Sequence, residues 1–555
     1  MLGLSLEERI RVFQSQPPPP VLEEGSFYAQ LAQNGARIFS DDDFAALYAK
    51  GRGRPSVPPH LLCMLLLLQW YCGCSDAEAI QRSAYDMRWQ AVLGLPPGMP
   101  LCARSTLEAF RDLLIAEAEA GYVFQKSLKE AKRVGLLKGP ALLLVLDTKP
   151  VLGRGAVLDT FNLIGEAIKK TAGALAEEAG MGLGEFLRLH GLERYAATSL
   201  KGSADLDWGD EAQRDAFLTE LVADARRVLA LVAQLPQEHR PKTGETLAQV
   251  LAQDVEESAD AQGTPRANIK EGTAKGRVPS VTDPQQRHGR KSASKRFTGS
   301  KVDIGCDKSS QIIVAVEVLD GDAPDASGAT DRASEAESNT GFPVEDTTAD
   351  GAYSGGATRR EFADAKRTFH AKVPQESTSS GLYAKSRFSV DLESGSVTCP
   401  AGETTSRATM EKDGGRVFHF GAACQNCPLR SACTRSASGR SVHVHAEEAL
   451  LQEARMFQAS PEGRAVLRAR VVVEHCLARL GNLGVGQARY MGRAKTRFQA
   501  FMCAAVANLR WTWNWAAREG TETASLVAFC LYIYGLQTHF WAGFRQRTYS
   551  VAIRL

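Results

Sequence analysis

Two aspartates stand at the ends of predicted strands, where carboxylates could meet. The segment Ala141–Pro150 (ALLLVLDTKP) predicts a buried strand that delivers Asp147 at the rim of a sheet and stops at Pro150. A shorter predicted strand, Pro343–Asp350, again ends in an aspartate. A carboxylate in such a place is costly to desolvate unless something pairs with it, and a metal ion is one such partner. The alternative for Asp147 is a cap on the following turn.

A third acid, Glu474, lies in the predicted helical segment PEGRAVLRARVVVEHCLARLGNLG. Arg470 stands four residues before it, so the two side chains share one helix face, and a surface ion pair is the structural alternative to a chemical role. Leu467, Val471 and Leu477 are expected to pack on the core side. The three acids form a site only if elements far apart in the chain bring them together.

Four cysteines mark a separate small unit between Asp350 and Glu474, with the spacing C-x24-C-x2-C-x5-C. Four thiolates at such spacing suit tetrahedral zinc, which would order a loop too small to have its own core. A redox pair or an unrelated set of cysteines is the alternative. The other cysteines lie on apolar faces and are predicted core residues. The four predicted zinc ligands are Cys399, Cys424, Cys427 and Cys433.

Basic residues cluster in two stretches of the sequence. Residues 284–300 contain no acid, and their basic side chains stand among serines, glycines and Phe297, which favours a phosphate-rich ligand over a solvated face. The turn-rich stretch at residues 51–55 could lie along a phosphate backbone, with a solvated loop as the alternative. The predicted nucleic-acid contacts are Arg52, Arg54, Arg287, His288, Arg290, Lys291, Lys295, Arg296 and Lys301.

The elements that must position these residues change along the chain. From Pro58 the pattern is helical, with a capping box at Ser75 and Glu78 and a further long helix from Ser105 to about residue 137. A plain bundle is favoured there over a helix-turn-helix DNA-binding module. Residues 160–265 are mostly helical and look like an insertion. Lys301–Gly321 predicts a β-hairpin that turns at residues 308–310.

Composition sets broad limits on the chain. Its 555 residues predict roughly two to four domains, because one hydrophobic core does not grow to that size. The net charge is only +2, so a nucleic-acid surface must come from local basic patches. No apolar run reaches the roughly 18 residues of a membrane span, and the first residues lack a signal-peptide core. A cytoplasmic protein with reduced cysteines and no membrane partner is expected.

Together these motifs resemble bacterial insertion-sequence transposases of the Asp-Asp-Glu (DDE) class, in the subgroup with a four-cysteine insert between the second aspartate and the glutamate. The matching segments span most of residues 50–515, and their order and number carry the resemblance. They are GRPSVPPHLL, LDTKPVLGRGAVLDTFNL, SVTDPQQRHGRKSASKRFTGSKV, DTTADGAY, CQNCPLRSACT, RVVVEHCLARL and ARYMGRAKTRFQAFMCAAVANL.

The resemblance implies an α/β fold of the ribonuclease H-like type. Its mixed sheet would carry Asp147 on the first strand and Asp350 at the end of the fourth, with Glu474 on a later helix. These three acids would hold two Mg²⁺ ions, which prefer oxygen ligands. Two ions roughly 3.5–4 Å apart can activate the attacking oxygen and stabilise the leaving one at phosphorus. Water would first free a 3′-hydroxyl at the element's end, and that hydroxyl would attack target DNA.

The resemblance also implies a domain plan and partners. A helical N-terminal domain (1–135) would bind the terminal inverted repeats. The catalytic domain (136–520) would contain the helical insertion at 160–265 and the zinc-binding insert at 391–440, and a tail would follow at 521–555. The partners would be double-stranded DNA, at the element ends and the target, and a second copy of the chain in a homodimer on DNA. The protein would be associated with the nucleoid.

The sequence departs from one signature of related families, Tyr-x2-Arg-x3-Glu-x6-Lys. Arg470 and Glu474 fit it, whereas Leu467 stands at the tyrosine position and Gly481 at the lysine position. Arg470 is thereby an expected DNA contact, and the lysine's hold on a flanking phosphate would pass to Arg489, Arg493 or Lys495. The alternatives to a transposase are a non-catalytic, zinc-stabilised DNA-binding remnant and a ribonuclease H-like nuclease with other substrates.

Overall fold

The computed structural model describes residues 22–47, 56–116, 119–259, 265–292, 294–374 and 381–519. Arg52, Arg54 and the predicted tail therefore lie outside the described residues. A mixed sheet of six strands lies at the centre, with helices on both faces. No helix in these ranges is long and apolar enough to cross a membrane.

The first helices surround one very apolar helix, α2, whose leucines 65–68 are fully buried. Pro59 starts α2, and Gly73 ends it in the left-handed conformation (φ 66°), which glycine adopts without strain. The predicted cap at Ser75 is confirmed, because its Oγ accepts the Glu78 N–H at 3.2 Å. The helices are α1 (Phe27–Ile38), α2 (Pro59–Cys72), α3 (Asp76–Tyr85), α4 (Met87–Leu93), α5 (Arg104–Ala116) and α6 (Tyr122–Arg133).

The single helix predicted from Ser105 is wrong. Helix α5 ends at Ala116, and α6 begins at Tyr122 after a 3₁₀ turn that closes on Gly121. The helical period of the sequence continues across Gly121. The α-helix does not, because glycine is a poor helix former.

Strand β1 (Leu142–Leu152) is followed by a helical insertion with a hydrophobic core of its own. The two segments that connect the insertion to the sheet meet where the Leu158 N–H donates to the Pro279 carbonyl at 3.2 Å. Its elements are α7 (Thr160–Glu178), α8 (Leu183–Leu189), α9 (Leu200–Ser203), α10 (Glu211–Gln234), α11 (Lys242–Asp254), β2 (Val255–Ala259) and β3 (Pro265–Ile269).

The other five strands of the sheet follow the insertion in the chain. Across the sheet the strand order is β4-β5-β1-β7-β8, and β6 also pairs with β5. Strand β5 runs antiparallel to β1, β4 and β6, whereas β7 runs parallel to β1 and β8. The predicted hairpin is confirmed. The elements are β4 (Arg287–Arg290), β5 (Arg296–Asp307), β6 (Ile313–Asp320), α12 (Ala329–Thr340), β7 (Val344–Ala349), α13 (Gly356–Asp364) and β8 (Thr368–Ala371).

Strand β1 does not stop where the sequence predicts. It continues through Pro150 to Leu152, so Asp147 lies in the middle of the strand. The ladder with β7 covers only Leu142–Val145, whereas the ladder with β5 continues to the end. Between Val145 and the bridge of Leu152 to Gln487, that side of β1 has no strand beside it, and a proline is tolerated there because no ladder bond is lost.

A small β unit with a third hydrophobic cluster, which includes Cys424 and Cys433, precedes the last helices. The final helix, α18, is largely buried between the N-terminal helices and the sheet, in the same hydrophobic cluster as both. The elements are β9 (Ser389–Asp391), β10 (Ser396–Thr398), β11 (Thr404–Thr405), β12 (Ala408–Met410), β13 (Arg416–His419), α14 (Arg430–Cys433), β14 (Ser441–Val444), α15 (Glu448–Ala459), α16 (Pro461–Arg468), α17 (Val471–Asn482) and α18 (Arg493–Arg518).

Candidate active site

Asp147 and Asp350 come from neighbouring parallel strands, because Asp147 lies on β1 and Asp350 directly follows the last residue of β7. The ladder pairs Val145 of β1 with Thr348 of β7, and each aspartate follows two residues after its member of that pair. The charge of Asp350 contributes to the raised pKa of Asp147, so the two carboxylates lie near each other. Asp350 also caps the next turn, because its Oδ1 accepts the Ala352 N–H at 2.8 Å.

Asp147 is a carboxylate held in a poorly solvated place. Its side chain is 16% exposed. Burial raises the pKa of Asp147 to about 6, and the nearby charge of Asp350 acts in the same direction, while the Thr148 N–H bond opposes both. A carboxylate whose ionised form is disfavoured gains much from a cation.

Arg470 supplies that cation here and connects two of the three acids. Its guanidinium donates to Asp147 Oδ2 at 3.2 Å and to Glu474 Oε1 at 2.8 Å. Arg470 precedes the first turn of α17, and Glu474 follows on the same helix face with a 55% exposed side chain. The predicted helix is divided between α16 and α17, and Val471 is exposed instead of packed in the core.

The three acids do not form a closed metal cage in this arrangement. Within the described residues, one cluster of three potential ligands has all its donor atoms within 4.8 Å of one another, and it is Glu411, Asp413 and His443 on the surface of the small β unit. The guanidinium of Arg470 lies between Asp147 and Glu474 instead. The donor set of three carboxylates, one of them desolvated, still fits a hard cation such as Mg²⁺.

The structure adds an acid that the sequence reasoning missed. Asp325, in the loop after β6, contributes to the raised pKa of Asp147. It accepts a bond from Lys301 Nζ at 2.6 Å, and Lys301 is only 6% exposed. Nothing in the sequence separates Asp325 from other loop acids, since its position depends on the path of the loop.

A buried contact behind the sheet holds the turn that carries Asp350. Tyr353 ends the 3₁₀ turn that Asp350 caps, and its hydroxyl donates to Asp303 Oδ1 at 3.2 Å. Asp303 is fully buried on β5, and this burial raises its pKa to about 8. The phenol of Tyr353 therefore fixes the turn to the central strands.

The basic stretch predicted from the sequence forms the β4–β5 hairpin. Four cations project from its tip with exposed side chains, whereas Arg287 and His288 are half-buried and bond to neighbouring backbone and to Thr298. Within the described ranges, the tip side chains make no ion pair. The four tip residues are Arg290, Lys291, Lys295 and Arg296.

The cations after α17 hold parts of the fold together. Arg489 donates to the Cys74 carbonyl, lies 3.7 Å from Asp76 and packs over Trp70. Arg493 pairs with Asp320, and the Lys495 ammonium lies 3.6 Å from Asp112. Each of the three is thus already paired with an acid of the chain.

The four cysteines of the small unit line one cavity, together with Tyr383 and Phe420. The Arg440 N–H donates to Cys424 Sγ at 3.3 Å, as backbone amides do around metal-bound thiolates. Burial raises the pKa of Cys433, and the other three thiols add to the effect while Arg440 opposes it. No three of these sulfurs lie within 4.8 Å of one another in the described residues. The donor set fits zinc, although the ligand sphere is open.

Two family matches bear on this arrangement. The family described as "Transposase DDE domain" matches residues 398–513, which include Glu474 and the four cysteines, and the family described as "Transposase domain (DUF772)" matches residues 22–113. No curated protein and no solved structure matches the chain. The two matches show that these stretches are similar to transposase domains, and the DDE description is consistent with a ribonuclease H-like fold.

Proposed function

We propose that this protein is a DNA transposase that cuts DNA at the ends of its element and joins the freed 3′-hydroxyl to target DNA. The observation that carries the proposal is the meeting of Asp147, Asp350 and, through Arg470, Glu474 at the open side of β1. Three carboxylates from three elements, one of them desolvated, are the donor set for phosphoryl transfer with divalent cations.

The chain's own residues have separate parts in this proposal. Asp147 and Asp350 would hold a cation from adjacent strands, and Glu474 would complete its ligand sphere from α17. Bound Mg²⁺ would supply charge neutralisation at the phosphorus and a lowered pKa for the attacking hydroxyl. Arg470, displaced from the acids by the cation, would be free to contact a DNA phosphate.

The exposed tip of the β4–β5 hairpin is the proposed contact with the DNA backbone. We expect its four cations to contact phosphates and not base edges, and therefore to add affinity without sequence preference. Recognition of terminal repeats is assigned to the N-terminal helices, which the DUF772 match covers. A homodimer would hold the two ends together.

We also propose a structural zinc ion on Cys399, Cys424, Cys427 and Cys433. The support is that all four line one cavity in a unit whose hydrophobic cluster is small. Closing the thiolates around a tetrahedral ion would stabilise a unit of this size.

The test of the catalytic proposal is cleavage of labelled DNA that carries the element's own ends. Asp147→Asn should reduce cleavage by more than 100-fold, because it removes a metal ligand, while DNA binding should stay within about twofold. Asp331→Asn, which changes an exposed aspartate on α12, is the matched control. Cutting by Asp147→Asn at the wild-type rate would contradict the proposal.

The non-catalytic alternative is favoured by one observation, the open arrangement of the three acids. The same assay separates the two proposals. Protein treated with chelator should recover cleavage when Mg²⁺ returns if it is an enzyme. Specific binding of the element ends without cutting, at any Mg²⁺ concentration, would instead indicate a DNA-binding remnant.

A further inference from the structure

Lys149 lies beside the carboxylates and is not part of the site described above. It follows Asp147 by two residues on β1, so both side chains point to the same face of the sheet, about 7 Å apart along the strand. The ladder with β5 is regular across both positions, which pair with Ile304 and Val302. This is the face on which Arg470 and α17 approach Asp147.

The Lys149 side chain runs over glycines next to α17. A Cβ placed on Gly481 would lie 3.3 Å from Lys149 Nζ and 3.5 Å from its Cε, and a Cβ on Gly486 would lie 3.9 Å from Cε. Gly481 is in the last turn of the helix that carries Glu474. The Lys149 ammonium therefore lies directly beside the backbone of residue 481, in space that a side chain there would share.

The ammonium of Lys149 has no partner of its own. Within the described residues its side chain makes no hydrogen bond and no ion pair, although it is only half-exposed. By contrast, Arg489, Arg493 and Lys495 are all paired with acids. A half-buried, unpaired cation two residues from a metal-binding carboxylate is well placed to receive an anion.

We propose that Lys149 binds a non-bridging oxygen of the DNA phosphate next to the one that is cut, an inference that rests on the proposed function. It performs from β1 what a lysine at position 481 of α17 would perform from the helix. Lys149 is therefore a substrate-binding residue of the site, and Gly481 leaves space beside its ammonium.

The test first removes the positive charge at residue 149 and then places a positive charge at residue 481. Lys149→Met keeps the unbranched apolar part of the side chain and removes the charged ammonium. Cleavage should fall at least 10-fold, and the slope of log affinity against log salt for binding of element-end DNA should fall by about 1, with an unchanged melting temperature. Lys149→Met/Gly481→Lys should recover most of both losses. Lys149→Met/Gly481→Met, which adds a side chain without charge, should recover neither.

Each outcome separates this inference from the proposed function. Wild-type protein that neither binds nor cuts element ends would overturn both. Wild-type protein that binds and cuts, beside a Lys149→Met variant with the same rate and salt slope, would overturn the role of Lys149 alone. A lowered melting temperature with an unchanged salt slope would show that Lys149 only stabilises the end of α17, and that result would also overturn the inference.

Discussion

At the scale of single residues, Arg470 is the side chain that sets the state of the site. One guanidinium bonds to Asp147 and Glu474 at once, and its ion pair with Asp147 is only partly exposed to water. The sequence predicts the contact with Glu474 from helical spacing, but the contact with Asp147 joins residues more than 300 positions apart. Such a contact depends on how α17 packs on β1, which no local pattern encodes.

Removal of Arg470 should make the site bind divalent cations more tightly. Arg470→Gln leaves Asp147 and Glu474 without their counter-ion, so a cation no longer competes with a guanidinium. We expect about fivefold tighter Mn²⁺ or Mg²⁺ binding in the absence of DNA, equivalent to about 1 kcal/mol, seen by calorimetry and as a larger metal-induced rise in melting temperature. Arg468→Gln, at the exposed end of α16, is the control. Equal affinities in the variants and wild type would exclude a competing role.

Some residues of the site can be recognised in the sequence, and others cannot. Asp147 and Asp350 stand out because they follow predicted strands, and Glu474 stands out because it shares a predicted helix face with Arg470. Lys149 is two residues from Asp147 in the sequence, yet its proposed role depends on its contact with Gly481, on a helix more than 300 residues further along the chain. Asp325 and Tyr353 act through loop and turn geometry, for which the sequence gives no period.

At the scale of elements, hydrophobic patterns predict the strands well and their ends poorly. The apolar run of β1 is evident, but its continuation through Pro150 depends on the early end of the ladder with β7. The hairpin of β5 and β6 has a clear turn, and it is placed correctly. The small cysteine unit is the opposite case, because its few apolar residues cannot predict how six short strands arrange.

Metal removal should affect this small unit before the rest of the protein. We expect the purified chain to contain about one zinc per molecule, and Cys427→Ser or a strong chelator to remove it. Without the ion, limited proteolysis should cut within the small β unit at least 10-fold faster, because its hydrophobic cluster is small. Mass spectrometry of the fragments locates the cuts.

The control for this experiment is Cys72→Ser, a half-buried cysteine of α2 far from the unit in sequence. It should keep the zinc and the wild-type proteolysis pattern. Protein that contains no zinc and resists the protease equally with and without Cys427 would exclude a structural metal.

At the scale of the whole molecule, the N-terminal helices and the sheet share one hydrophobic core. Helix α18 lies between them, and the predicted boundary near residue 135 does not coincide with a break in this core. Glu130 of α6 is a polar centre of the junction. It accepts bonds from Arg37 at 2.8 Å, Arg133 at 2.9 Å and Trp513 at 3.2 Å. Sequence patterns identify each helix but cannot show that they pack together.

Acid should weaken this junction in a defined pH range. Burial alone would raise the pKa of Glu130, but the bonds from Arg133 and Arg37 outweigh it and lower the pKa to about 2. A lowered folded-state pKa stabilises the protein above the ordinary value of 4.5, and this contribution is lost as the pH falls towards 2. Glu130→Gln should therefore cost about 3 kcal/mol at pH 7 and much less at pH 3.

Urea unfolding at both pH values measures this difference. Glu177→Gln, an exposed glutamate near the end of α7, serves as the control and should change little at either pH. A Glu130→Gln variant equally destabilised at pH 7 and pH 3 would show that packing, and not the charge, is what the residue contributes.

The hydrogen bond between Leu158 and Pro279 bears on how the insertion could have entered the gene. Because Leu158 and Pro279 are hydrogen-bonded to each other and the insertion has its own core, its removal between these two residues would leave two chain ends already in contact. An ancestral gene could gain or lose this stretch in one event without rethreading the sheet. The insertion is therefore a part of the chain that another module could replace without a change in the path of the strands that carry the acids.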